Sequence, residues 1–205
     1  IEAQYEPGTR GHVLKNLRGI KSKSDIEMAE TLEYKRVTDV MIEQYDQDHR
    51  FTASDICHMH KIWLGSIYQW AGCYRNVMMS KGSFSFAAPR YLPILMEDLE
   101  KTILSRYTPC NFESIDDVVE SLAIVHTELI LIHPFREGNG RLARLLSAIM
   151  AMQAGLPFLD FSHIKGKWKE EYFAAVRAGL DRNYKPMESV FSEVVSRTLK
   201  KYKQE

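Results

Sequence analysis

The segment from 114 to 155 constrains the fold of this chain more than any other. It contains two stretches with helical periodicity, joined by a short loop with two glycines. The first stretch opens at Ser114, a favoured N-cap residue, and is apolar on nearly every side over 122–132. A helix of that composition must be buried all round. Gly155 ends the second stretch, as expected after a helix C-terminus. The sequence therefore predicts a helical domain built around one central helix.

Other segments predict further helices. Residues 24–45 suit an amphipathic helix, with Ser24 as the N-cap and Glu27 completing a capping box. Its expected buried face consists of Met28, Leu32, Val37, Val40 and Met41. A second helix should start at Thr52 or Ser54. Three more helices fit the ranges 94–107, 167–180 and 187–203.

A different pattern occupies residues 74–88. Apolar residues alternate with polar ones on both sides of Lys81, Gly82 and Ser83, which indicates a short β-hairpin around a glycine-containing turn. An isolated hairpin is marginally stable, so it must pack against the helices. We therefore predict an all-α fold with one short β-hairpin, organised as a single domain over 1–205. Within it, 1–23 is an irregular lead-in and 114–154 holds the central helix, the loop and the following helix.

The composition disfavours several classes of function. The 205 residues contain 27 basic and 27 acidic side chains, and this zero net charge argues against a nucleic-acid-binding protein. No apolar run approaches membrane-spanning length, and no signal-peptide pattern is found, so we expect no membrane association. The three cysteines, Cys57, Cys73 and Cys110, form no CxxC pair and indicate reduced thiols.

The loop between the two central stretches poses a problem of charge. The second helix should start near Asn139, where its dipole favours acidic residues, yet Arg141 and Arg144 fall in its first turn. A bound polyphosphate would resolve this, because the free N–H groups of the helix and the two arginines would share one anion. Gly138 and Gly140 would let the backbone close around that anion. The sequence therefore predicts a phosphate site at this helix N-terminus.

Two further residues add chemistry to the predicted site. His133 ends the buried helix and is the natural general base, since the pKa of histidine lies near neutrality. Glu137 beside a phosphate would be repulsive unless a Mg²⁺ ion bridged them. The loop is not a P-loop, because no Gly-Lys-Ser/Thr closes it, and a helix precedes it where a dinucleotide fingerprint needs a strand. The alternative is that these polar residues lie on the surface by coincidence, around a two-glycine loop of a frequent kind.

These residues form part of a longer motif. The stretch HPFREGNGRLAR, residues 133–144, resembles the Fic-domain motif His-Pro-Phe-x-Asp/Glu-Gly-Asn-Gly-Arg-x-x-Arg at every specified position. The segments PGTRGHVLKNLRGI, SIYQWAG and FAAP are similar to segments that precede the motif in Fic proteins. The resemblance implies a Fic fold. It also implies the reaction of most Fic proteins, which transfer AMP from ATP to a hydroxyl side chain of a target protein and release pyrophosphate.

The resemblance implies a role for each motif residue around the reacting phosphate. His133 would deprotonate the Ser, Thr or Tyr hydroxyl of the target. Glu137 would hold Mg²⁺ between the α- and β-phosphates. Asn139, with the backbone of Gly138 and Gly140, would cradle the α-phosphate.

The arginines of the motif would bind the rest of the nucleotide. The resemblance assigns the β-phosphate to Arg141 and the γ-phosphate to Arg144, and we add Arg136 to the phosphate-binding set. In many Fic proteins the glutamate of a Ser/Thr-x-x-x-Glu-Gly/Asn helix pairs with the last arginine and blocks the γ-phosphate. Only 189–193 has that spacing here, and no Gly or Asn follows it. A small antitoxin-like chain, or a regulatory segment outside this sequence, would then act on Arg144.

The hairpin at 74–88 is similar to the Fic flap, which holds the target protein by strand addition. In this flap, Lys81 and Gly82 would contact the target or the nucleotide, although a solvated turn lysine is an equal alternative. Tyr172 and Ala175 could line the adenine pocket, or they could pack in the core.

Several alternatives stay open. Gly140 stands where a phosphorylating Fic subfamily has lysine, which favours nucleotide transfer. The donor could still be UTP, GTP or CDP-choline, and the fold could instead be a non-catalytic module that binds a nucleotide and a partner strand. Cys57, His58 and His60 crowd one helical turn and indicate packing or surface positions rather than metal binding. His126 should be a hydrogen-bonded core histidine. We expect a cytoplasmic site of action, in a bacterium or, for a secreted effector, in its host.

Overall fold

The computed structural model describes residues 2–82 and 84–203. The helices of this part of the chain are α1 (Lys23–Gln44), α2 (Ala53–Leu64), α3 (Leu92–Leu99), α4 (Ser105–Tyr107), α5 (Ile115–Ile132), α6 (Asn139–Gln153), α7 (Lys167–Ala178) and α8 (Lys185–Tyr202). Strands β1 (Ser80–Lys81) and β2 (Phe84–Ser85) form a two-stranded antiparallel sheet, in which Ser80 pairs with Ser85. The predicted all-α fold with one short hairpin is confirmed.

Helix α5 lies at the centre of the fold. The hydroxyl of Ser114 accepts the N–H groups of Asp116 and Asp117, as its N-cap role predicts. Helices α6, α8, α3 and α7 all pack against α5, and its residues are buried on every face. The buried side chains of the described residues form one hydrophobic cluster around it. The prediction of a central helix that is buried on every side over 122–132 is therefore confirmed.

Helix α1 packs against α2 and α6, and it corrects two details of the prediction. Its N-cap is Ser22 rather than Ser24, because the Ser22 hydroxyl accepts the N–H of Asp25. Met28 and Leu32 are 61% and 63% exposed instead of buried. Their faces were misassigned because the buried stripe of α1 includes a carboxylate, Glu30, which a search for apolar residues passes over.

The helix predicted at 94–107 is interrupted. Helix α3 starts two residues earlier, and a π-helical turn, Glu100–Leu104, joins it to α4. Helix α2 begins as predicted, with Thr52 and Asp55 forming a capping box. The strands of the hairpin are only two residues long, and Ser83 of its turn lies outside the described residues. None of the described helices is long and apolar enough to span a membrane.

Candidate active site

A cavity of about 470 Å³ lies where the α5–α6 loop, residues 133–138, meets the flap and helix α7. It brings together most of the predicted site residues: Lys81, Gly82, His133, Arg136, Glu137, Gly138, Asn139, Gly140, Arg141, Arg144 and Tyr172. The flap adds Met79, Phe84 and Phe86, and α5 and α7 add Ile130, Phe173, Val176 and Arg177. One cavity therefore joins the predicted base, the predicted phosphate site and the hairpin.

The charge of this cavity differs from that of the whole chain. Its described lining carries five basic side chains, Lys81, Arg136, Arg141, Arg144 and Arg177, against one acidic side chain, Glu137. The whole chain has equal numbers of basic and acidic residues. Clustered basic groups in a cleft raise the local concentration of anions. The cavity is thus suited to a ligand with several negative charges.

The amide of Asn139 fixes the shape of the α5–α6 loop. Its Oδ1 accepts the N–H of Phe135 at 2.9 Å, and its Nδ2 donates to the carbonyl of Phe135 at 2.7 Å. Both residues are buried, at 3% and 0% exposure. Oδ1 and one N–H of the amide expected to cradle a phosphate are therefore engaged inside the loop, and Nδ2 carries a second N–H that these two bonds do not use. The side chain of Asn139 positions the loop, and the backbone at the start of α6 lines the cavity.

A second anchor of the loop, His60, was missed by the sequence analysis. The N–H of Gly72 donates to Nδ1 of His60 at 2.8 Å, so Nε2 carries the proton and donates to the carbonyl of Glu137 at 3.0 Å. The His60 ring stacks on Phe135 with 3.9 Å between centroids. Burial lowers the pKa of His60 to about 4, so the ring is neutral at pH 7. No sequence signal links His60 to a loop more than 70 residues away.

The two glycines of the loop have different reasons to be glycine. Gly138 has a φ of +85°, and an added Cβ would lie 2.6 Å from the Trp63 ring, so the fold itself requires glycine there. At Gly140 an added Cβ would meet nothing within 4 Å, and its φ is not positive. The packing of the described residues therefore leaves position 140 free to carry a side chain. The open space above it is available to a ligand that approaches the backbone.

The predicted base, His133, is held in one tautomer. It is the C-cap of α5, in the left-handed region with a φ of 53°. Its Nδ1 lies 3.1 Å from the carbonyl of Ile130, which can only accept, so Nδ1 donates and Nε2 keeps its lone pair. The ring stacks on Phe86 of the flap at 3.7 Å. Burial lowers the pKa of His133 to about 4, and the charges of Arg75 and Lys81 act in the same direction. At neutral pH the ring is therefore uncharged, with its lone pair at Nε2, although its pKa lies below the near-neutral value expected from the sequence.

Arg141 is held by residues of α1 and α2. Its guanidinium lies 2.5 Å from a carboxylate oxygen of Glu30 and 3.4 Å from that of Glu137, and it sits 4.6 Å from the centre of the Trp63 ring. Glu30 is itself buried, and its other oxygen accepts the hydroxyl of Tyr68 at 2.7 Å. The predicted counter-charge for a phosphate is therefore preorganised by a carboxylate 111 positions away in the chain.

Arg144 is less completely paired. Its Nε is buried and has no hydrogen-bond partner among the described residues. The guanidinium lies 5.6 Å from the centre of the Tyr172 ring and 5.9 Å from that of Phe161. The hydroxyl of Tyr172 contacts Nε2 of His126 at 2.7 Å, which confirms that His126 is a hydrogen-bonded core histidine. A buried N–H without a partner is costly, so Arg144 has capacity left for an anionic ligand.

Sequence comparison agrees with this geometry. The sequence profile of the Fic/DOC family matches residues 50–151, about half of the chain, and this range includes the α5–α6 loop and the start of α6. The chain belongs to the Fic/DOC family. The Fic motif over 133–144 is therefore the part of this chain around which the cavity is built.

Two relatives of this Fic chain are named as protein adenylyltransferases. The protein adenylyltransferase fic-1 of Caenorhabditis briggsae is 34% identical over 112 residues, which cover 54% of this chain and 21% of that protein. The probable protein adenylyltransferase y4lH of Sinorhizobium fredii is 27% identical over 161 residues, covering 78% and 80% of the two chains. This chain thus spans about a fifth of the nematode relative.

Solved structures share the fold. The N-terminal Fic domain of a Bartonella effector protein from Bartonella sp. AR 15-3 has a TM-score of 0.77 at 23% identity, covering 95% of this chain and 91% of that one. The BepC protein of Bartonella tribocorum, solved with bound AMPPNP, has a TM-score of 0.73 at 23% identity, with 94% and 96% coverage. These similarities establish the Fic fold of the chain.

The α7 side of the Fic cavity decides between the two alternatives for Ala175, in favour of core packing. Ala175 is buried against a different surface depression, beside Ser189 and Val190, and does not line the cavity. Phe173 does line it, and the ammonium of Lys81 lies 3.6 Å from the centre of the Phe173 ring. Ala175 follows Phe173 by two positions in α7, so the two side chains lie on different faces of the helix.

Arg136, which lines the cavity, and Glu193, which does not, both have partners elsewhere in the fold. Arg136 donates to the Glu2 carbonyl and to the Tyr5 hydroxyl, both at 3.2 Å, which ties the loop to the lead-in. Glu193, the weak candidate for an inhibitory glutamate, pairs with Arg197 on the surface of α8 and does not line the cavity. Among the described residues, no cluster of three or more His, Cys, Asp or Glu side chains could hold a metal ion alone.

Proposed function

We propose that this Fic protein is a protein adenylyltransferase, which transfers AMP from ATP to a hydroxyl side chain of a target protein and releases pyrophosphate. The observation that carries the proposal is a neutral histidine with a free Nε2 in the same cavity as an anion site. The basic residues Arg141 and Arg144 complete that site. The relatives named as adenylyltransferases and the AMPPNP found in BepC support the same reading.

The phosphates of ATP would lie over the N-terminus of α6. Its N-cap, Gly138, offers no side chain to bond the first N–H groups, so those donors can meet phosphate oxygens. Gly140 leaves room for the nucleotide to approach the backbone. Arg141 would face the β-phosphate and Arg144 the γ-phosphate, where the unpaired Nε of Arg144 would gain a partner.

The residues present fit a magnesium ion. The hydrogen bonds that the described residues make to the Glu137 carboxylate, from Gly138 and Arg141, all go to Oε1. Oε2 is therefore free for a cation, and the side chain is 43% exposed within the lining of the cavity. Mg²⁺ commonly binds one or two carboxylates together with phosphate oxygens, and it neutralises charge that develops on them. Glu137 would be the protein ligand of the ion.

The chemical step follows from the tautomer of His133. Nε2 accepts the proton of the target hydroxyl while the hydroxyl oxygen attacks the α-phosphorus of ATP. An O–P bond forms, the bond to the β-phosphate oxygen breaks, and pyrophosphate leaves with the electron pair. Most of the rate enhancement would come from positioning and charge stabilisation, as is usual in phosphoryl chemistry.

The partners and the setting follow as further parts of the proposal. A target segment would add as a strand beside the flap, where Ser80, Lys81 and Ser85 are exposed. A small antitoxin-like chain would inhibit by occupying Arg144. The reaction would take place in the cytoplasm, of a bacterium or of its host.

The test uses a lysate as the source of targets. The protein is incubated with Mg²⁺ and ATP labelled at the α-phosphate, beside His133→Ala and the control His58→Ala, whose histidine is exposed and distant from the motif in sequence. Protein-bound α-label that persists in H58A and is lost in H133A is expected. Label from γ-labelled ATP alone would contradict AMP transfer. Parallel reactions with labelled UTP, GTP and CDP-choline separate the alternative donors.

A further inference from the structure

Arg75 is a buried arginine whose three guanidinium nitrogens each donate to a backbone carbonyl. It is 2% exposed. Its Nε donates to the carbonyl of His133, Nη1 to that of Val77 and Nη2 to that of Ala87, each at 2.7 Å. A longer bond of 3.5 Å links Nη2 to the carbonyl of Ile132. One guanidinium therefore holds the end of α5 and both arms of the flap.

The charge of Arg75 is compensated without an ion pair. None of the salt bridges among the described residues includes Arg75; Glu2 is the carboxylate whose charge most favours its protonated form. The last carbonyls of a helix carry the negative end of its dipole, and Ile132 and His133 supply two of them. A buried charge placed there is stabilised by the same carbonyls that a helix end leaves unpaired. These bonds depend on the planar guanidinium of arginine, whose geometry the single ammonium group of a lysine cannot reproduce.

The position of Arg75 links the base to the flap. The backbone N–H of Arg75 also donates to the carbonyl of Pro134 at 2.8 Å. Phe86, which precedes the held Ala87, stacks on the His133 ring. His133 is a non-glycine residue in the left-handed region, a conformation that needs support from its surroundings. Arg75 supports both the backbone of the base and the hairpin arm that covers its ring.

We propose that Arg75 is a positioning residue that fixes the flap relative to His133, so that a strand held by the flap presents its hydroxyl at Nε2. This inference rests on the proposed function. Arg75 does not line the cavity, so it acts through His133 and the flap rather than on the nucleotide.

The test measures flap opening directly and does not depend on transfer activity. Amide hydrogen exchange is recorded for wild type, Arg75→Lys and the control Arg90→Lys, in which an exposed arginine next to the flap is changed in the same way. In R75K the amide of Phe86, which bonds the carbonyl of Met79, should lose about tenfold or more of its protection. The amide of Leu142 in α6 and the affinity for ATP with Mg²⁺ should stay within about twofold. R90K should match wild type.

Two results would overturn the proposal. One is unchanged protection of Phe86 in R75K. The other is an equal loss of protection in Leu142, because that would indicate general destabilisation rather than release of the flap. If R75K does not fold, exchange in the wild-type protein decides: the Nε–H of Arg75 and the amide of Phe86 should show protection equal within about tenfold. If the Phe86 amide is about a hundredfold less protected than the Nε–H of Arg75, the flap moves without Arg75. A failed labelling reaction would leave these outcomes unaffected, so the two proposals fail separately.

Discussion

The α5–α6 loop and the flap face each other across one cavity, and the fold holds them in opposite ways. Buried groups fix the loop, and they include Asn139, His60 and Trp63. The flap consists of two strands of two residues, mostly exposed, and is held at its ends by Arg75.

The difference matches what each region has to bind. A phosphate site stabilises charge well only when its donors are already in place, because reorganising them during the reaction costs free energy. A strand edge that accepts a protein segment gains from main-chain hydrogen bonds and tolerates different side chains. The rigid loop therefore suits a constant ligand, and the short flap suits a variable one.

Lowering the pH should have the largest effect on stability, through the loop residue His133, its anchor His60 and the core histidine His126. Burial lowers the pKa values of His60 and His133 to about 4 and that of His126 to about 3. The unfolded chain, with histidine pKa values near 6.5, binds more protons between pH 6.5 and 4, so stability is full above pH 6.5 and falls with pH. At roughly 1.4 kcal/mol per pKa unit, the loss between pH 6.5 and 5 is several kcal/mol.

Urea unfolding between pH 7 and 5 measures this dependence. The slope of the free energy of unfolding against pH, taken at pH 5, should correspond to the uptake of about three protons on unfolding. His126→Asn should reduce the uptake by about one proton, while His58→Asn, at an exposed histidine, should leave it unchanged. Stability that does not change over this range would show that the three histidines are not buried in neutral form.

Matched glycine substitutions test the rigidity of the two regions. Gly138→Ala combines a positive φ with a clash against Trp63, so it should lower the free energy of unfolding by about 2–5 kcal/mol. Gly82→Ala in the flap has a φ of +60° but nothing within 4 Å, so it should cost only about 1–2 kcal/mol. Urea denaturation of both variants gives the comparison. Equal losses would mean that Trp63 does not restrain the loop.

The dependence of the loop on α1 can be measured through Glu30. Glu30→Gln leaves Arg141 without its buried counter-charge, and because the arginine side chain is 32% exposed we expect a loss of about 1–2 kcal/mol. Glu27→Gln, which removes an exposed i,i+4 pair with Lys23 on the same helix, should cost less than about 0.5 kcal/mol. Thermal or urea unfolding distinguishes them. Equal stability of the two variants would show that Glu30 does not hold Arg141 in place.

Gly140→Ala should have the smallest effect on stability and a clear effect on binding. An added methyl group meets no described atom, so the free energy of unfolding should stay within about 0.5 kcal/mol. The affinity for ATP with Mg²⁺, measured by calorimetric titration, should fall by about tenfold or more, because the methyl group fills space at the phosphate site. Unchanged affinity would remove the nucleotide from the N-terminus of α6.

Local sequence patterns were enough for the parts of this fold that are held locally. The periodicity of α5 and α6, the cap at Thr52 and the hairpin alternation all reflect contacts between near neighbours. The motif residues could be assigned to one site because they are contiguous, from His133 to Arg144.

The supports of the site could not be predicted, because their partners are distant in the chain. Glu30, His60 and Arg75 contact the motif across 58 to 111 positions. Two of them are charged residues in buried positions, where an apolar pattern is the usual guide. The two alternatives for Ala175 stayed open for another reason: its face of α7 depends on how that helix rotates against α5 and α8, which its own sequence does not fix.

The most direct test of the rigid loop is amide hydrogen exchange in the wild-type protein, with and without ATP and Mg²⁺. The amide of Phe135, bonded to Asn139, should be strongly protected before nucleotide is added and change by less than about twofold afterwards. The amide of Phe86 in the flap should be the less protected of the two. A Phe135 amide that exchanges freely and becomes protected only when nucleotide binds would contradict a phosphate site built in advance by the fold.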